Sequence, residues 1–93
     1  MSNEERLEDL KKEQIKMIGF NPSNEKECLK AVKQDGLALK YVKNQTEEIC
    51  LEAVKENGYA LRFVKNQTEE ICLEAVRQNP YALQYVKDLS MLL

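Results

Sequence analysis

The chain has 93 residues, 43% hydrophobic and 32% charged, which suits one globular domain and is too apolar for intrinsic disorder. Its 14 basic and 16 acidic residues give a formal net charge of −2, without the strongly basic footprint of most nucleic-acid binders. No apolar run approaches the roughly 20 residues that span a bilayer. The start MSNEERLEDLKKEQ is charged where a secretory signal needs an apolar core. Three cysteines cannot all pair within one chain, so reduced thiols in a cytoplasmic setting are the expectation.

In chain order, Ser2-Asn3-Glu4-Glu5 is a capping-box pattern. Leu7, Leu10, Met17 and Ile18 then share one face of a helix at about 3–18, which Gly19 can end. This segment, residues 3–19, reads as an N-terminal capping helix that hides the apolar flank of the segment after it.

Three units of 22 residues come next, at 21–42, 43–64 and 65–86. Units two and three match at 17 of 22 positions and units one and two at 10, which is self-similarity of the kind that marks a stacked repeat. The string NQTEEICLEAV stands at residues 44–54 and again at 66–76. Stepped at about 100° per residue, Ile49, Cys50, Leu51, Ala53 and Val54 fill an arc of roughly 200°. An arc that wide implies packing on two sides, as for a helix with a repeat neighbour on each flank. Asn24, Thr46 and Thr68 are N-cap residues, with glutamates behind them that favour the positive end of the helix dipole. First helices are predicted at about 25–34, 47–56 and 69–78.

Turns stand at Asp35-Gly36, Asn57-Gly58 and Asn79-Pro80. Proline is comfortable at the first position of a new helix with Asn79 as its cap, so short second helices are predicted at about 58–65 and 80–87. Asn44 and Asn66 belong to the linker, where asparagine tolerates left-handed geometry. Residues 87–93 track the start of a fourth unit and then stop, with no cap of the N-terminal kind; the apolar Met-Leu-Leu ending either folds back on unit three or is left available to a partner. The expected fold is all-α: a short α-solenoid of about three helix-turn-helix repeats behind an N-terminal capping helix.

Candidate chemistry is sparse. Cys28, Cys50 and Cys72 lie one per unit on equivalent helices, with no histidine and no CxxC, so they read as small buried core residues rather than zinc ligands. Neighbouring glutamates should raise the thiol pKa. Glu47–Glu48 and Glu69–Glu70 point about 100° apart on a helix and do not converge for acid–base work. No nucleophile-plus-base pair or phosphate loop is present, so an enzyme is not expected and neither is a cofactor or metal. The aromatic ladder Tyr41, Phe63, Tyr85 and the pair Tyr59, Tyr81 recur at core phase, with packing as the favoured role. The charge ladders Lys40/Arg62/Gln84 and Lys43/Lys65/Lys87 should form ridges along the second helices. Glu48/Glu70 and Glu52/Glu74 should form an acidic ridge along the first.

The pattern KNQTEEICLEAVKxNGYALRFV, with its core CLxAVxxNxxALxxV, resembles the tandem repeats known as domain of unknown function 4116, over about residues 21–88. These are short helical repeats of bacteria and large DNA viruses. The resemblance implies a helical array, no established enzymatic activity and no catalytic residues to carry over; the segment 1–18 lies outside it.

The functional expectation is a non-enzymatic protein-interaction module that binds a larger partner through Lys40, Lys43, Arg62, Lys65, Gln84, Lys87, Tyr59 and Tyr81. A phage- or virus-encoded inhibitor of a host defence complex is one concrete version. The alternative is a structural or self-assembling protein that forms a dimer or filament through Leu89, Met91, Leu92 and Leu93. Nucleic acid is not expected as the main ligand, and no membrane contact is expected.

Overall fold

The computed structural model describes residues 19–93. The expected capping helix at 3–19, with its capping box and its apolar face, lies outside the described residues except for Gly19. That glycine has φ +79°, in the left-handed region that favours glycine.

Three α-helices stand at the predicted places: α1 (Glu25–Gln34), α2 (Glu47–Glu56) and α3 (Glu69–Gln78). Each begins on its predicted cap. Asn24 Oδ1 accepts from the Glu27 N–H at 3.0 Å, and Thr46 and Thr68 Oγ1 accept from Ile49 and Ile71 at 3.2 Å. In α2 Ile49, Cys50, Ala53 and Val54 are buried and Leu51 is half-buried, while Glu47, Glu48, Lys55 and Glu56 are exposed. The wide arc is therefore buried on both flanks, by α1 and by α3.

The second element of each unit differs from the α-helix expected. Gly36–Tyr41, Gly58–Phe63 and Pro80–Tyr85 are six-residue 3-10 helices, shorter than the predicted 58–65 and 80–87. Asp35, Asn57 and Asn79 start them through side-chain oxygens that accept from the N–H two residues on, each at 3.0 Å. Three residues per turn eclipses positions i and i+3. Gly58 and Leu61 thereby line up on the buried ridge, with Val64 behind them, and Tyr59 and Arg62 line up on the outer one. Asn44 and Asn66 sit in the bends between units, but among the described residues no non-glycine has a positive φ. The chain turns there without a left-handed residue.

Consecutive α-helices pack against one another, and α2 and α3 each also pack against the 3-10 helix of the unit before. Glycine is required at that second contact. A Cβ on Gly36 would lie 2.3 Å from the Ala53 carbonyl oxygen of α2, and one on Gly58 would lie 2.5 Å from that of Ala75 in α3. The same two residues donate their N–H groups to Oε1 of Glu56 and of Gln78. One core runs through the stack, with Leu39, Ile49, Leu61 and Ile71 among its largest fully buried side chains. Burial of such a side chain contributes about 1.5–3 kcal/mol.

Of the two outcomes expected for the apolar C-terminal residues, folding back on unit three is the one seen for Met91 and Leu92. Leu89–Leu92 forms a further 3-10 turn, capped by Asp88, that packs against α3. Met91 and Leu92 are half-buried against the core there, while Leu89 and Leu93 are exposed. Of the four residues expected to self-associate, two are thus already used within the chain. Among the described residues no strand is present, and no helix is long and apolar enough to cross a membrane.

Candidate interaction face

At the centre of the repeated string stand the cysteines. Cys28, Cys50 and Cys72 are free and buried. Each thiol donates to a nearby oxygen: Cys50 to Gln45 Oε1 and Cys72 to Gln67 Oε1, both at 3.6 Å, and Cys28 to the Pro22 carbonyl at 3.4 Å. Burial pushes the Cys50 thiol up to about 11, with Glu47 adding to the rise. Burial raises Cys28 too, helped by Glu27, and it raises Cys72. A thiol held in its neutral form is a poor nucleophile. These are packing residues that also close a hydrogen-bond relay.

That relay runs through two glutamines that sequence reasoning did not single out. Gln45 Nε2 donates to the Phe63 carbonyl at 2.8 Å, and its Oε1 accepts from the Lys65 N–H at 3.0 Å. Gln67 repeats this one unit on, with the Tyr85 carbonyl and the Lys87 N–H, both at 2.9 Å. Each amide therefore ties the start of its unit to the aromatic near that unit's end and to the lysine just beyond it. In unit one Ser23 takes the glutamine's place, and the Pro22 carbonyl accepts from the Lys43 N–H at 3.1 Å instead. The signal available in the sequence was a glutamine at the same offset before each threonine cap.

The predicted ridge residues lie on or just after the 3-10 helices. Lys40, Lys43, Arg62, Lys65, Gln84, Lys87 and Tyr81 are exposed, and Tyr59 is half-buried. The 3-10 geometry sharpens the ladder, because eclipsed positions put Leu37 with Lys40, Tyr59 with Arg62, and Tyr81 with Gln84. Lys43, Lys65 and Lys87 come immediately after each turn's extended cap. Gln84 adds no reach outward, since its Nε2 folds back to donate to the Tyr81 carbonyl at 3.0 Å.

Cations lie over aromatic rings along this face. The Arg62 guanidinium carbon is 5.1 Å from the Phe63 ring centre and 5.7 Å from that of Tyr85. Lys40 Nζ is 5.1 Å from the Tyr41 ring centre. At exposed sites such contacts contribute about 0.5–1 kcal/mol each. Tyr59 meets Tyr85 edge-on, with ring centres 6.1 Å apart and planes at 74°. Phe63 and Tyr85 pack on the core as expected, but Tyr41 is 44% exposed and Tyr81 73% exposed. The aromatics are thus half structural floor and half open surface.

Charge separates by element. Positions 35–43, 57–65 and 79–87 carry five basic residues and one acidic residue, Asp35, counted without Lys87's neighbour Asp88. Glu48 and Glu70 are exposed on α2 and α3, which are richer in acid, whereas α1 carries three lysines and two glutamates; Glu52 and Glu74 are half-buried, and Glu74 pairs with Arg77 at 3.1 Å. Among the described residues, no group of three or more histidine, cysteine, aspartate or glutamate side chains converges as metal ligands would.

No curated protein and no solved structure matches the chain. Two overlapping stretches, residues 24–68 and 46–89, match the family model described as Domain of unknown function (DUF4116). Together they run from the cap of α1 to the turn after the third 3-10 helix, which is most of the sequence and all three structural units, and the chain therefore belongs to the DUF4116 family.

Proposed function

We propose that this chain is a non-enzymatic protein-interaction module that applies its basic 3-10 face to an acidic surface of a larger protein. The observation that carries this reading is the ladder of cations seated on aromatic rings, centred on Arg62 over Phe63 and Tyr85. Rings hold the cations in register at low entropic cost, and tyrosine adds large amphipathic contact area. Complementary charge then steers the encounter and suppresses wrong partners. The concrete form we favour is a virus- or phage-encoded inhibitor of a host defence complex, on the bacterial and viral occurrence of similar repeats.

The test is a titration of isotope-labelled protein with a short polyglutamate peptide, followed by NMR shifts, beside a single-stranded RNA oligonucleotide. Expected shifts fall at residues 37–43, 59–65 and 81–87, weaken with salt, and vanish in the Lys40→Glu/Arg62→Glu variant. Shifts confined to the α-helical side would sink the reading. Tighter binding of the RNA would replace the protein partner with nucleic acid.

A self-associating structural protein is the second reading, favoured by exposed Leu83, Leu89 and Leu93. Light scattering over a concentration series decides it, because a constant monomer mass removes the dimer.

A further inference from the structure

We infer that Pro80 is a stop for the array, barring any further unit, in this chain or in a second copy, from packing on unit three in the repeat register. The contact between units is made where Gly36 and Gly58 lie against the backbone of the next α-helix. Position 80 is the third in that series. At the first two, a Cβ alone would come within 2.3 and 2.5 Å of a main-chain carbonyl oxygen. Proline brings a whole ring to that place. At the first two, the glycine N–H also satisfies the carboxylate or amide oxygen of the incoming helix. Proline has no N–H to give, so an incoming Glu56 or Gln78 equivalent would be left unpaired.

Leu83, at the position where Leu39 and Leu61 are fully buried, is 47% exposed, so the flank beside Pro80 is apolar. Tyr81 is exposed beside it and Pro80 is open to solvent on the same flank. The Leu89–Leu92 turn covers α3, where the first helix of a fourth unit would lie, and leaves the third 3-10 helix open. The C-terminal flank is therefore apolar, but its shape and its hydrogen-bonding groups both reject the occupant that the repeat would otherwise recruit. Head-to-tail filaments built by repeat continuation are excluded by the same residue, which goes beyond the choice of binding face above.

Insertion of one extra unit tests this. A copy of residues 43–64 is placed between Val86 and Lys87, with Pro80 retained or with Pro80→Gly. A control chain carries the same copy between Val64 and Lys65, behind Gly58. The denaturant m-value scales with the surface exposed on unfolding, so an integrated unit raises it by about a quarter to a third, in proportion to its residues. That rise is expected in the control and in the Pro80→Gly chain. The chain that keeps Pro80 should show the parent m-value, with unprotected amide hydrogens in the inserted unit. An equal rise behind Pro80 overturns the inference. Failure of the Pro80→Gly insertion also overturns it, since the block would then lie elsewhere. Failure of the control does so as well, because the unit would not be one that the array can add.

Discussion

Replacing Gly58 with alanine tests the interface on which the stack depends. Gly58 has no positive φ, so alanine suits its backbone and should stabilise by about 0.4–1 kcal/mol through the unfolded state alone. Against this, the new Cβ would stand 2.5 Å from the Ala75 carbonyl oxygen, 2.9 Å from Gln78 Oε1 and 3.0 Å from Asn79 Cβ. The nearest of these is about 1 Å short of ordinary contact, and it is helix backbone that cannot swing aside. Relief requires α3 to move off the 3-10 helix, which costs about 1–3 kcal/mol and weakens the Gly58–Gln78 hydrogen bond by about 0.5–1.5 more. Packing therefore outweighs the entropic gain, and the net loss is about 2 kcal/mol. In urea denaturation followed by far-UV circular dichroism, the midpoint should fall by about 1–2 M for a domain of this size. Pro80→Ala, at the open equivalent position, should leave it nearly unchanged. A Gly58→Ala midpoint at or above wild type would mean that the entropic term is acting alone and that the units do not meet at this glycine.

Three other substitutions read out the relay, the caps and the thiols. Gln67→Ala removes the acceptor for the Lys87 N–H and the donor to the Tyr85 carbonyl, and should cost about 1–3 kcal/mol by urea denaturation, with Gln67→Glu intermediate because it keeps an acceptor. Thr68→Ala unmakes the α3 cap and should cost about 1 kcal/mol, whereas Thr68→Asp should retain most of the stability. Burial raises the Cys50 thiol to about 11, above its unfolded value, so the folded state binds more protons in the interval between the two. Stability from this group is whole below about pH 8.5 and declines as pH rises toward 11, so wild type should lose more stability than Cys50→Ala between about pH 8 and 11. Parallel alkaline slopes would show that the thiol is not protected by the fold.

The α-helices were legible because two signals agreed at each: an oxygen-bearing cap followed by glutamate, then a wide apolar arc. The six-residue second elements were not. Tyr59, Ala60, Leu61, Phe63 and Val64 fit an arc at about 100° per residue, and over so few residues a period of 3.0 is hard to tell from 3.6. Gly36 and Gly58 were read as turn residues, although what they supply is the absence of a side chain against a helix about one repeat further on. A contact of that range leaves no local pattern. Its one trace was the change to proline at position 80, which local rules explained as a helix start. Gln45 and Gln67 were missed for the same reason, since their partners lie 18 and 20 residues ahead. The exposure of the basic residues was legible from their place opposite the apolar arc. Their seating on aromatic rings was not, because that depends on the turn being 3-10.

Each glutamine amide ties the start of its unit to its end and to the first residue beyond it, and α2 touches the units directly before and after its own. Such a chain behaves as a zipper with nearest-neighbour couplings. Its closing loops are all about one repeat long, so the entropy of bringing distant segments together never accumulates, and refolding should be fast for a protein of this size. Unit two, clasped from both sides, should exchange its amide hydrogens last, while the third 3-10 helix, with nothing packed on its outer flank among the described residues, should open first among the three.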